Sequence, residues 1–245
     1  MSPPGFYKPN PRVLSVRELI RFRGLLRFPL AFFTTRTKSK PGDGVWMPSL
    51  WADIACTRQE LTERFWQITE PQRHAFEKLG FQECGLAKAK PHLNLNPHIQ
   101  DNGKITYLDS SRSHIGQIVY IKIHVAPPID RDRERVNIGI TAVFAGGTVT
   151  YRNNNKHTDP VPAHEVFTVG SDDPGVIYAR FLPHLVRRKE PPQVFPDDGS
   201  LHRWVDDEQM KRFERLVQRG LFIRMTDEEV AEARRKLPPP LKPWA

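Results

Sequence analysis

Two side-chain groupings in this chain have the residue types and spacing that chemistry requires, and a third has the charge. His157 and Asp159 stand one residue apart, and His184 follows at a distance. A His-x-Asp pair with a remote histidine is the ligand set of a facial triad, which leaves positions on a non-haem iron open for substrate and oxygen. With nine histidines in 245 residues, such a short pattern also arises by chance. Asn153, Asn154, Asn155, Lys156 and Pro160 around it are turn formers, so a polar surface loop is the stronger reading. His157, Asp159 and His184 are thus metal candidates for a rival reading, a metal-dependent oxygenase-like enzyme, and no cofactor is expected.

The second grouping is Tyr120, Lys122 and His124 on one strand-like run with Arg135 and Asn137 on the next. Side chains at every second position share a face, and a polar face of this kind could hold a small anion or supply a general base. Outward polar residues are also what any one-sided antiparallel sheet needs, and that bland reading outweighs the functional one. Other chemistries lack their motifs. No Gly-x-Ser-x-Gly elbow, Walker-type phosphate loop or Gly-x-Gly-x-x-Gly turn occurs. Cys56 and Cys84 are too few for a disulfide framework or a cysteine zinc site, and are expected as small apolar groups in a reducing compartment.

Charge is the third feature and weighs most. The net charge is +9, yet residues 1–40 carry +8 and the other 205 carry +1. Ser15 and Glu18 form a capping box for a helix expected at about 16–28, which Pro29 stops. Arg17, Arg21, Arg23 and Arg27 fall in one arc of that helix and Leu19, Phe22, Leu25 and Leu26 in the other, and Phe32 and Phe33 follow. Basic side chains beside shallow-inserting aromatics suit an anionic membrane surface, at ~1 kcal/mol per basic residue. The same arm could clamp nucleic-acid phosphates, the second choice of partner. Its apolar arc could equally dock on the protein's own body or in a homodimer, and its imperfect sidedness favours that structural role somewhat.

The elements that must position these groups follow from periodicity. Thr57 with Glu60 predicts a helix bearing Leu61, Phe65 and Ile68, and Thr69 a second helix bearing Phe76 and Leu79 and closed by Gly80. Residues 81–102 show no clear period and read as loop. From Lys104 the period is two. Along 115–125 the residues Ile115, Val119, Ile121, Ile123 and Val125 are expected inward, with Tyr120, Lys122 and His124 outward. Along 136–144 the inward set is Val136, Ile138, Ile140, Ala142 and Phe144, and Gly146-Gly147 turns the chain into Val149 and Tyr151. Asp173-Pro174 opens a helix with Ile177 and Phe181 inward. Asp206 caps another that ends at Gly220, and Thr226 with Glu229 opens a short charged one.

These readings predict an α+β protein: an antiparallel sheet of about five strands, helices before and after it, and one face covered. The division is a basic arm and linker over 1–44, a core domain over 45–190, and a C-terminal helical segment over 191–245 with a Pro-rich tail. Residues 1–10 lack an apolar leader core, and no stretch approaches the ~18 apolar residues of a spanning helix. The expected place is cytoplasmic, peripheral on the inner membrane face where the arm engages lipid. The expected function is that of a non-catalytic binding or scaffolding protein contacting an anionic surface.

Overall fold

The computed structural model describes residues 4–10, 13, 45–125, 131–154, 164–188 and 190–237. The chain divides into two compact units: 55–88 with 99–202, and 1–54 with 89–98 and 203–245. The fold is α+β, with five α-helices and two sheets among the described residues.

The larger unit holds a six-stranded sheet in sequential order: β3 (Gln82–Ala87), β4 (Ile99–Leu108), β5 (His114–Val125), β6 (Arg131–Phe144), β7 (Gly147–Arg152) and β8 (His164–Thr168). The first five run antiparallel, as expected, and β8 adds a sixth, parallel to β7. Helices α2 (Glu63–Lys78) and α3 (Pro174–Val186) carry the residues that bury this sheet's core face. Phe65, Phe76, Ile177 and Phe181 share a cluster with Ile105, Tyr107, Ile118, Tyr120, Ile138 and Ile140, all essentially without exposure. Each such side chain contributes about 1.5–3 kcal/mol on burial.

Two glycines fix how closely α2 approaches. Phe65 and Phe76 are three helical turns apart, so they share a face. A Cβ at Gly103 would lie 2.6 Å from the Phe65 ring, and one at Gly116 would lie 2.6 Å from the Phe76 ring. The cross-strand partner of each glycine is a tyrosine, Tyr120 opposite Gly103 and Tyr107 opposite Gly116. The Phe76 ring stacks on Tyr107 at 4.9 Å, and Phe65 meets Tyr120 edge-on at 6.0 Å. Each phenylalanine therefore sits over a glycine and beside the tyrosine that faces it.

The helix itself corrects the two-helix expectation. Thr57 and Glu60 form their box, but it opens only a 3-10 turn over Arg58–Glu60. Thr62 caps the α-helix, accepting from the Phe65 amide at 3.1 Å. Thr69 starts nothing: its hydroxyl donates back to the Phe65 carbonyl at 2.7 Å, and the helix runs on through Pro71 to Lys78. Gly80 then takes a left-handed φ of 81°, as its position at a helix end demands.

The smaller unit carries a three-stranded sheet that the sequence reading missed, with β1 (Gly5–Pro9) in the middle between β2 (Val45–Met47) and β9 (Phe222–Arg224). Strand β1 lies within the residues assigned to the arm, and its Phe6 and Tyr7 are buried. Phe6, Leu95 and Met225 form the unit's small core, closed by Trp46, Val230 and Leu237. Short α1 spans Trp51–Ile54, and α5 spans Asp227–Arg235 behind the expected Thr226/Glu229 capping box. Helix α4 (Asp198–Gln218) begins eight residues before the expected Asp206. Asp197 accepts from the Ser200 amide at its start, and Asp206 instead accepts from the Trp51 amide at 2.6 Å.

Candidate functional site

The polar group expected on one sheet face is divided by register. Tyr120 pairs with Val136, whereas Arg135 pairs with Ile121 and Asn137 with Val119. Tyr120, Lys122 and His124 thus share the helix-bearing face, and Arg135 and Asn137 share the other. The expected inward set of β6 is the one found, but that of β5 is inverted: Ile118 and Tyr120 are buried, and Val119, Ile121 and Ile123 are half-buried. Tyr120 can occupy a core position because its hydroxyl reaches the boundary and donates to Glu134 at 2.9 Å.

On that boundary the structure assembles a balanced charge ladder. Glu134 receives the Arg64 guanidinium of α2 through two bonds of 2.9 and 2.5 Å. Asp132 lies 3.2 Å from Lys122 and 3.1 Å from His124. Hydrogen bonding from Arg64 lowers the Glu134 carboxyl, and hydrogen bonding from His124 and Lys122 lowers that of Asp132. Burial, followed by the Glu134 carboxylate, raises the Tyr120 phenol. Lys122 and His124 therefore already face a carboxylate, and Arg135 is exposed on the opposite face.

Two histidine relays that sequence reasoning missed flank Phe181 of α3. In the first, His114 Nδ1 lies 3.1 Å from Asp109 and 3.1 Å from the Tyr178 hydroxyl, with its ring edge-on to Phe181 at 5.4 Å. Asp109 also accepts from the amides of Ser113 and His114, each at 2.9 Å, and from the Ser111 hydroxyl at 2.6 Å. Burial alone would raise this carboxyl. The bonds from His114 and Ser111 overcome it and hold the group well below the usual carboxylate range. Arg112 completes the turn at a φ of 56°, with its guanidinium on the Phe195 carbonyl and Asp198. An Asp–His pair holds an imidazole in one orientation, the arrangement acid–base catalysis uses. Here Ser111 and Ser113 turn toward Asp109 and each other, which makes this a turn clamp.

In the second relay, His184 Nδ1 is 3.2 Å from the Tyr151 hydroxyl and its Nε2 is 3.4 Å from Glu165. Both ring nitrogens of this metal candidate thus face partners of the fold. His157 and Asp159 lie outside the described residues, as do Arg17, Arg21, Arg23, Arg27, Phe22, Phe32 and Phe33. Among the described residues no group of three or more metal-ligating side chains converges, and no helix is long and apolar enough to cross a membrane.

The signal for the first relay was the run Asp109-Ser-Ser-Arg-Ser-His114, a turn-former cluster framed by an acid and a base. Nothing local marks the second, whose three members come from β7, β8 and α3. A third feature is the amine of Lys104, on the face of β4 that looks away from α2 and α3. Burial pulls it down to about 8. Burial likewise pushes the neighbouring Cys84 thiol up to about 12, and that thiol lies 3.3 Å from the Thr106 carbonyl.

No family model matches this chain, and no curated protein or solved structure matches it significantly.

Proposed function

We propose that this is a non-catalytic binding or scaffolding protein that contacts an anionic surface, membrane headgroups first, through its basic N-terminal region, working in the cytoplasm at the inner membrane face. The observation that carries the reading is the segregation of charge, +8 in residues 1–40 against +1 in the remaining 205. The described body supports it by spending its charges internally. Arg58 pairs with Glu83, Arg64 with Glu134, Arg112 with Asp198 and Lys122 with Asp132. Arg188 pairs with Glu165 and Glu190, and Lys211 with Glu208. Such surface pairs add little stability, but they cancel the field that would otherwise draw anions to the body. One basic residue of the first forty, Lys8, is itself paired with Glu229. The reading therefore rests on Arg17, Arg21, Arg23 and Arg27, with Phe22, Phe32 and Phe33.

Truncating residues 1–44 is an unsuitable test, because it removes β1 and β1 is the middle strand of its sheet. Replacing Arg17, Arg21, Arg23 and Arg27 by Gln leaves that strand intact. Co-sedimentation with vesicles containing phosphatidylserine is expected to fall by at least about tenfold in this variant, given ~1 kcal/mol for each basic residue at the surface. Equal sedimentation of variant and parent would remove the reading. Retention of salt-sensitive duplex binding, with no vesicle binding by the parent, would assign the region to nucleic acid instead.

A further inference from the structure

In the smaller unit, a cavity of about 280 Å³ opens between the three-stranded sheet and α5. Its walls are apolar: Phe6 and Trp46, whose rings meet edge-on at 5.3 Å, with Met225 and Val230. Its charged lining is Arg224 of β9, Arg234 of α5 and Asp227 at the start of α5. The Arg234 guanidinium stands over the Phe6 ring at 5.5 Å. Arg224 lies along Gly5, where an added Cβ would meet its Nε at 3.4 Å.

These two arginines differ from the other cations of the same unit. Lys8 reaches Glu229 across the sheet, and Lys236 reaches Glu232 at 2.5 Å. Among the described residues neither Arg224 nor Arg234 has an ion pair or a hydrogen bond, and Asp227 pairs with neither although it lines the same cavity. Two guanidiniums and one carboxylate leave a lining charge of +1, which suits a single negative charge better than a phosphate dianion. A guanidinium is a flat fork that matches a carboxylate through two parallel bonds, and a bonded pair of this type is the stronger kind. The volume lies at the small end of ligand sites, room for about one ring. Aromatic walls favour a planar body with its edge or face against Phe6 and Trp46.

We infer that this cavity is a binding site for a small planar organic monoanion, one aromatic ring bearing a carboxylate, with the ring against Phe6 and Trp46 and the carboxylate on Arg224 and Arg234. The site is independent of the basic N-terminal region and belongs to a different part of the chain. The probe is benzoate, titrated into the full-length protein by calorimetry or saturation-transfer NMR, with benzamide as its neutral isostere. Saturable benzoate binding is expected, with benzamide at least about tenfold weaker, the scale of one charge-assisted bond. Arg224→Gln and Arg234→Gln should each weaken benzoate by a similar factor, and Arg234→Lys should recover part of the loss by restoring charge without the fork. Both arginines are exposed, so the variants should keep the parent's thermal midpoint, which is measured alongside. The site is refuted by any of three results: no saturable benzoate binding, equal binding of benzoate and benzamide, or undiminished binding in the Arg224→Gln/Arg234→Gln double variant. The Arg17, Arg21, Arg23 and Arg27→Gln protein should bind benzoate like the parent. Loss of binding there would move the anion site to the N-terminal region and overturn the inference.

Discussion

Asp109 accepts four hydrogen bonds inside one hairpin, and its behaviour with pH follows from them. Its folded carboxyl titrates below the ~3.9 of an unfolded aspartate, so the folded state binds fewer protons where the two differ. The stability it contributes is complete above that unfolded value and is lost as pH falls toward the folded one. Asp109→Ala is expected to cost about 2–4 kcal/mol at pH 7 by urea unfolding, because it strands two amides and an imidazole. The gap to the parent should narrow below pH 4, and a gap that stays constant to pH 2 would contradict the charge assignment. Lys104 has the opposite sign. Its folded amine titrates near 8, below the ~10.4 of an unfolded lysine, so a desolvated ammonium burdens the fold at neutral pH. Stability should rise between about pH 8 and 10.4, where only the unfolded chain still holds the proton. Lys104→Met should raise the urea midpoint at pH 7 and abolish that rise; a lower midpoint would mean the amine has a favourable role.

Among elements, α2 and the two strands beneath it make the most stringent demands. Gly103→Ala and Gly116→Ala should each destabilise by about 1–3 kcal/mol, since the added methyl meets a buried ring at 2.6 Å and the helix must lift. A thermal midpoint equal to the parent's in both would contradict the packing described. The caps separate in the same way. Thr62→Ala should cost about 1 kcal/mol and Thr57→Ala less, because Thr62 holds a sixteen-residue helix and Thr57 a single 3-10 turn.

The helix was legible in its apolar spacing but not in its boundaries, because three threonines compete to cap it and only tertiary contact chooses between them. Strand β6 was legible because its alternation is clean. Strand β5 was not, because Ile115, Ile118, Val119 and Ile121 put apolar side chains on both faces, and Glu134 satisfies the one hydroxyl that argued against burying Tyr120. Strands β3 and β4 were hidden by the glycines and prolines of the stretch read as loop. The smaller sheet joins residues near 7, 46 and 223, a pairing that no local pattern records.

For the whole molecule, charge organises the account. The body offsets its cations with its own carboxylates, and the excess is concentrated in residues that precede it in sequence. Interfacial binding built on such an excess scales with the anionic lipid present and is screened by salt within a Debye length, ~8 Å at physiological ionic strength. The cavity beside Trp46 and the histidine relays do not enter this claim. It can fail while they stand, and they can fail while it stands. The decisive quantity is the partition coefficient of the intact chain onto vesicles of rising phosphatidylserine content, at low and high salt. The account predicts partitioning that climbs with anionic fraction, exceeds that on neutral phosphatidylcholine by at least about tenfold, and collapses in high salt. Partitioning that is absent, or equal on neutral and anionic vesicles, would contradict it.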